Sequence, residues 1–309
     1  MSQRSAVIGA LSIALIAALG LWLCGSRQPS GPRIEILGGD AGGIPRVSPG
    51  EAHLDGTALE QAAADASAAG LQALVVVRGD YIVFERYGRG FSADTRIDSG
   101  PFARTLLALV AGIANHDDRV PLPDIAGFDP PAVRQAIESG THQRYPDYLS
   151  LRLWRPLNAD RAWIALPAVG VAARADCCVH ARILDWVRVG MLLLADGRFE
   201  GKAIVPAGWV QHMRQPVSAS GAEGYGIELA PAAHGAEAFA DRDVLFLRGP
   251  ARWRFWVVPR LKLALLFGAA ADPAHWDETR LPNLVIRALS EPAAAGDVGS
   301  KLQQLVPGH

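Results

Sequence analysis

This 309-residue sequence predicts an α+β fold, an antiparallel sheet flanked by helices. Three stretches carry that prediction. Residues 74–78 and 81–87 are β-branched and aromatic runs joined by Gly79-Asp80, the pattern of a tight hairpin. Residues 94–113 run as an extended segment, a breaker at Gly100-Pro101, and then a helix apolar on most sides. The last third returns to short apolar runs separated by turns, as in an antiparallel sheet. Half of the residues are apolar, enough to bury one large core or two sub-cores. A formal net charge of −1 gives no reason to expect nucleic acid as a partner.

The chain opens with a tail of residues 1–5 and then nineteen uncharged residues, Ala6 to Cys24, with Arg4 before them and Arg27 and Arg33 after. In a helix at about 1.5 Å per residue that run spans a hydrocarbon core of roughly 30 Å. It reads as a single-pass transmembrane signal anchor. Cleavage is the competing reading, but Leu21-Trp22-Leu23 fits neither a small-x-small signal site nor a lipoprotein site at Cys24. Residues 25–50, with Gly38-Gly39, Gly42-Gly43 and Pro45, read as a Gly/Pro-rich linker. They are not a phosphate loop, since no strand precedes them and no Gly-Lys-Ser/Thr follows.

The globular domain is expected over residues 51–290. An alanine-rich helix at 54–69 closes at Gly70, and the hairpin follows. In the next helix Pro101 suits a first helical position, and Ser99 or Gly100 can cap. Phe102, Leu106, Leu107, Leu109, Val110 and Ile113 give it an apolar surface. A helix opening at the end of an extended segment is a common seat for a nucleophile, because its N-terminus stabilises developing negative charge. A Pro-rich passage leads to a short helix near 132–139. Ile183, Trp186, Val187, Met191 and Leu194 then share one helical face that ends at Asp196-Gly197. Pro206 opens another helix, with Trp209, Val210 and Met213 inward. Strands are expected at 225–229, 244–247, 253–258 and 261–267, the third with Arg252 and Arg254 on a wet face. A closing helix at 281–289 and a flexible tail at 291–309 complete the chain. The adjacent Cys177-Cys178 reads as two small buried residues rather than a disulfide. Neither cysteines nor histidines show metal-ligand spacing, and no cofactor is expected.

The order of helix, hairpin, loop and buried helix resembles the opening of the serine β-lactamase-related hydrolases. That family includes β-lactamases of the penicillin-binding-protein type, related esterases and 6-aminohexanoate-dimer hydrolases. The resemblance continues through Leu153-Trp-Arg-Pro-Leu157, residues 181–197 and Ile204-Val-Pro-Ala-Gly-Trp-Val210. It implies a β-lactamase/transpeptidase-like fold, here with a shortened helical subdomain. In the family the buried helix begins with Ser-x-x-Lys, and Pro101 and Arg104 fall at those two places. A second motif, Tyr-x-Asn, has no counterpart; Tyr148-Leu-Ser150 is the nearest form. The third motif falls at Leu247-Arg-Gly-Pro250, where Arg248 and Gly249 are the family-equivalent residues and Arg248 could hold an anion. Ser99 is the fallback nucleophile.

The resemblance therefore implies a serine hydrolase homologue with degenerate catalytic motifs that binds a peptide-like or cell-envelope ligand. Two alternatives stand beside it: an amide or ester hydrolase with a non-standard nucleophile, and a structural membrane-anchored interaction protein. The family's usual location puts the domain on the periplasmic side of the inner (cytoplasmic) membrane. The full-length chain should partition with membranes and resist alkaline extraction, while a chain starting near Ser48 should be soluble. Full-length protein recovered only in the soluble fraction at a reduced mass would establish cleavage instead.

Overall fold

Strand-forming residues with two apolar faces make the frame. The computed structural model describes residues 31–123, 127–229, 237–270 and 277–289. Its main sheet has six antiparallel strands in the order β3-β2-β12-β11-β10-β9. These are β2 (Leu71–Arg78), β3 (Tyr81–Tyr87), β9 (Glu228–Leu229), β10 (Leu245–Arg248), β11 (Arg254–Val258) and β12 (Leu263–Ala269). Successive strand residues point to opposite faces. Ala73, Val75, Val77, Phe255, Val257, Ala264 and Leu266 therefore enter one core. Leu74, Val76, Phe246, Trp256, Leu263, Leu265 and Phe267 enter another.

The outer core is closed by α1 (Gly56–Ala68) and α7 (Arg280–Arg287). α1 begins two residues later than its composition suggests. Asp55 occupies the cap position, its carboxylate accepting the Thr57 N–H at 2.8 Å. Leu59, Ala62, Ala63 and Ala66 then lie on the sheet. The inner core is organised by α2 (Phe102–Asp117), in which Phe102, Ala103 and every residue from Thr105 to Ala114 are buried. A helix without a wet side needs protein all round it. The hairpin and this helix stand where the sequence puts them, with β2 reaching back to Leu71 because Leu71 pairs with Ala269 of β12.

A second sheet, order β1-β5-β6-β4, lies on the same inner core. Its strands are β1 (Arg33–Ile36), β4 (Arg96–Asp98), β5 (Ala162–Ala165) and β6 (Val179–Arg182). Here the linker reading fails over its described part. Arg33 to Ile36 pair antiparallel with Ala165 to Ala162, and Ile36 and Ile44 are core residues. A chain cut near Ser48 would lose an edge strand. The run at 6–24 expected to cross a membrane, residues 25–30 and the chain from 290 lie outside the described residues. Among the described residues no helix is long and apolar enough to cross a membrane.

Between the two sheets' contributions run α3 (Pro130–Thr141) and α4 (Tyr145–Leu149), which passes into a π turn over Ser150–Trp154. α5 (Ile183–Leu194) is buried from Ile183 to Leu193, on all sides rather than on one face. Its Gly190 lets β11 approach, since an added Cβ would lie 1.9 Å from Cζ of Phe255. The buried Asp185 is matched by donors: Arg182, Arg188 and the Asp160 N–H all reach its carboxylate at 3.1 Å. After α5 come the two-stranded β7 (Arg198–Phe199) and β8 (Lys202–Ala203). α6 (Trp209–Met213) starts at Trp209, with Gly208 as its cap, rather than opening at Pro206, whose carbonyl instead accepts the Trp209 N–H.

Three local expectations are corrected. Cys177 and Cys178 form a disulfide and are half-buried, the left-handed φ of +73° at Cys178 turning the two sulfurs together. Arg252 is 4% exposed and Arg254 bonds Glu278, so neither stands on a wet strand face. The strand expected at 225–229 shrinks to two residues because Gly226, at φ +74°, turns the chain. Leu107 is fully buried on α2. We expect Leu107→Ala to destabilise the protein by roughly 2–5 kcal/mol in denaturant unfolding, with an exposed alanine substitution on α1 as the control.

Candidate functional site at the start of the buried helix

β4 delivers the chain to α2 through Ser99, Gly100 and Pro101. Ser99 continues the strand pairing: its N–H donates to the Val179 carbonyl at 2.7 Å, and its Oγ accepts the Val179 N–H at 3.0 Å. It is 0% exposed. Its hydroxyl is thus enclosed in the strand junction, which argues against the expectation of Ser99 as a fallback nucleophile. Nor does its side chain cap the helix. Asp98 and His180, paired at 3.3 Å, do not complete a triad with it, since neighbouring strand residues face opposite ways.

Gly100 then makes the tight turn, at φ +45°, with an added Cβ only 2.8 Å from the Pro250 nitrogen. That contact brings the helix entrance against the end of β10. A cleft of about 220 Å³ opens there. Pro101, Arg104 and Thr105 line it from α2, and Phe246, Leu247 and Arg248 from β10. Glu223, Gly226, Ile227 and Glu228 line it from the loop leading into β9. Pro101, Arg104 and Arg248, placed together by family position, are thus brought together in space. Gly249 is not on the lining; it packs towards Phe102 and Trp253.

Arg248 does not stand ready for an anion. Its Nε donates to Glu228 Oε2 at 3.0 Å and its Nη1 to Glu278 Oε1 at 3.2 Å, while its guanidinium lies 4.9 Å over the Phe246 ring. Two carboxylates already answer its charge. Arg104 differs: its guanidinium lies 5.4 Å over Phe128, and among the described residues no carboxylate is bonded to it. The Thr105 hydroxyl donates to the Gly226 carbonyl at 2.8 Å, tying the loop to the helix.

The backbone at this entrance is also committed. Ser99 N–H goes to Val179, and Gly100 N–H to Asp98 Oδ1 at 2.6 Å. Phe102, Ala103 and Arg104 N–H go to the carbonyls of Ser99, Gly100 and Pro101 at 3.0, 3.3 and 3.0 Å. Pro101 has no N–H. Across the cleft the Gly249 N–H donates to Trp253 O at 2.8 Å, and Pro250 has none to offer. Tyr148 cannot assist. Its hydroxyl bonds Asp118 just beyond the far end of α2, about 25 Å from Pro101 along the helix axis.

Glu223, Thr105 and Glu228 are site residues that local sequence patterns did not single out as a group. Glu223 and Glu228 are neighbours only because the loop doubles back, with an antiparallel bridge between them. Burial raises the Glu228 pKa; Arg248 opposes this, and Glu278 and Glu223 reinforce it. A carboxyl whose folded pKa is raised favours the fold below its unfolded pKa and loses that contribution as pH rises through the folded value. Relative to Glu228→Gln, the native protein should therefore become progressively less stable as pH is raised from 4 to 7. A pH-independent difference in denaturation midpoint would show that Glu228 does not titrate abnormally.

No protein-family model matches this chain, and no curated protein matches its sequence. Solved structures do match its fold. A protein described as a 6-aminohexanoate-dimer hydrolase from Bacillus anthracis superposes with a TM-score of 0.61 at 12% identity, covering 89% of each chain. A β-lactamase from Mycobacterium bovis gives 0.58 at 14% identity, over 75% of this chain and 100% of that one. A family VIII carboxylesterase gives 0.57 at 12% identity, over 75% of this chain and 97% of that one. The chain has the serine β-lactamase-like fold common to these structures.

Proposed function

We propose that this chain is a membrane-tethered homologue of the β-lactamase-like hydrolases that has lost acyl-enzyme chemistry and holds a ligand in the cleft beside α2. The observation that carries this reading is the committed helix entrance. Acyl transfer through a serine needs a hydroxyl, a base to take its proton, and oxyanion donors at one point. Pro101 has no hydroxyl, and the Arg104 guanidinium offers hydrogen-bond donors and no acceptor, so it cannot serve as the base. Each N–H around the entrance already serves a structural partner.

Binding chemistry survives where reaction chemistry does not. Arg104 suits a ligand carboxylate, and Glu223 and Glu228 suit an amine or amide N–H on the same ligand. That pairing favours a peptide-like or cell-envelope molecule. The open cleft argues against a purely structural partner protein. The apolar run at 6–24 supports a single-pass anchor, and the family resemblance is what puts the domain on the periplasmic side of the inner membrane. For the alternative of a working amide or ester hydrolase the cleft offers only the Thr105 hydroxyl, which is buried and donates to the Gly226 carbonyl.

We expect no covalent labelling by β-lactam or fluorophosphonate probes, and no turnover of nitrocefin or short p-nitrophenyl esters above background. Pro101→Ser combined with Arg104→Lys should recover little, because no tyrosine or oxyanion donor stands ready. Short peptides with a free C-terminal carboxylate should raise the thermal midpoint, and Arg104→Ala should abolish that shift. Stoichiometric labelling that Thr105→Ala removes would establish the hydrolase instead.

A further inference from the structure

Four large hydrophobic side chains are exposed among the described residues: Leu37 at 50%, Leu151 at 52%, Val169 at 87% and Val171 at 46%. Scattered singly, such residues need no explanation. These four all border β1, the edge strand of the four-stranded sheet. Leu37 follows β1 directly, and its N–H donates at 3.0 Å to Ser150 Oγ, beside Leu151. Val169 and Val171 lie on the turn after β5, whose Leu166 N–H donates at 2.8 Å to the Pro32 carbonyl. A groove of about 730 Å³, lined by Ile34, Pro146, Leu166, Val171 and Ala173 among others, opens along the same strand. Arg33 on β1 is exposed, its guanidinium 5.2 Å over the Trp163 ring, and Glu35 is exposed on the same strand.

The chain ahead of β1 selects the occupant. If residues 6–24 cross a bilayer, the eight residues 25–32 reach at most roughly 28 Å fully extended. A domain of this size is about 45 Å across. The tether is too short to let β1 lie on the far side of the domain from the lipid. We propose that the β1 edge, through Leu37, Leu151, Val169 and Val171, is a lipid-facing surface that rests on the bilayer its own N-terminal run enters. This depends on the membrane-anchor reading above and adds to it a fixed orientation of the domain.

The test uses the full chain carrying Cys24→Ser, with Val169→Cys, Leu151→Cys or, as control, Ala64→Cys on the exposed side of α1. Labelling without reductant leaves the Cys177–Cys178 disulfide intact. Each protein bears a polarity-sensitive fluorophore and is reconstituted with vesicles of phosphatidylcholine and phosphatidylglycerol. We expect flotation with the vesicles, blue-shifted emission from positions 169 and 151, and severalfold stronger quenching there than at 64 by spin-labelled lipids. Chains that float but show water-like emission at 169 and 151 would overturn the lipid-facing edge and leave the anchor standing. Blue-shifted emission without lipid quenching would mean that a second copy covers the edge, and would also overturn it. Chains absent from the vesicle fraction would remove the anchor and this proposal together.

Discussion

The complete burial of α2 is the constraint on which the rest of the architecture depends. From Thr105 to Ala114 it has no residue that belongs in water, so it is stable only with protein on every side. The six-stranded sheet, the four-stranded sheet and the helices α3 to α6 supply that surround. The main sheet has then to be apolar on both faces, since α1 and α7 close its other side. An apolar α2 thus makes a layered fold necessary and leaves one end of the helix, at Pro101, meeting a cleft.

What the cleft can do follows from how tightly that helix end is tied down. Helix N-termini in water or in active sites leave N–H groups free to meet an anion. Here the turn through Ser99 and Gly100 satisfies them internally, and across the cleft the Gly249 N–H is taken by Trp253 while Pro250 has none. The same contacts fasten β4, α2 and β10 into one corner. Arg248 is held between Glu228 and Glu278, while Arg104 keeps its charge available beside Phe128. The two arginines of the corner are thus differently committed.

Buried charge elsewhere is structural. Asp185 inside α5 gathers Arg182, Arg188 and the Asp160 N–H, and Arg188 also reaches the Gly42 carbonyl. That last bond helps fasten residues 38–47 to the domain. A buried pair of this kind is costly to break, because removing one partner leaves the other charge unanswered. It explains why a glycine-rich stretch is ordered here instead of acting as a spacer.

The sequence by itself determined the hairpin, the buried α2, the apolar strands of the last third and the order that matched the serine β-lactamase-like fold. Each rests on local periodicity and turn residues, which act over a few positions. The resemblance also put Pro101 and Arg104 together at the family's first-motif positions, and both line the cleft. Only the tertiary structure decided what depends on distant partners. β1 pairs with a strand some 130 residues away, so its glycine-rich surroundings read as a linker. Asp185 and Arg188 look like solvent positions until Gly42 and Asp160 are brought beside them. The partners of Arg248, the enclosure of Ser99 and the Glu223–Glu228 pair come from chain segments that no short window joins. The Cys177–Cys178 bond needs a left-handed backbone at Cys178, which residue type alone does not reveal. Periodicity records which face of an element is buried, and only packing decides which charges meet there.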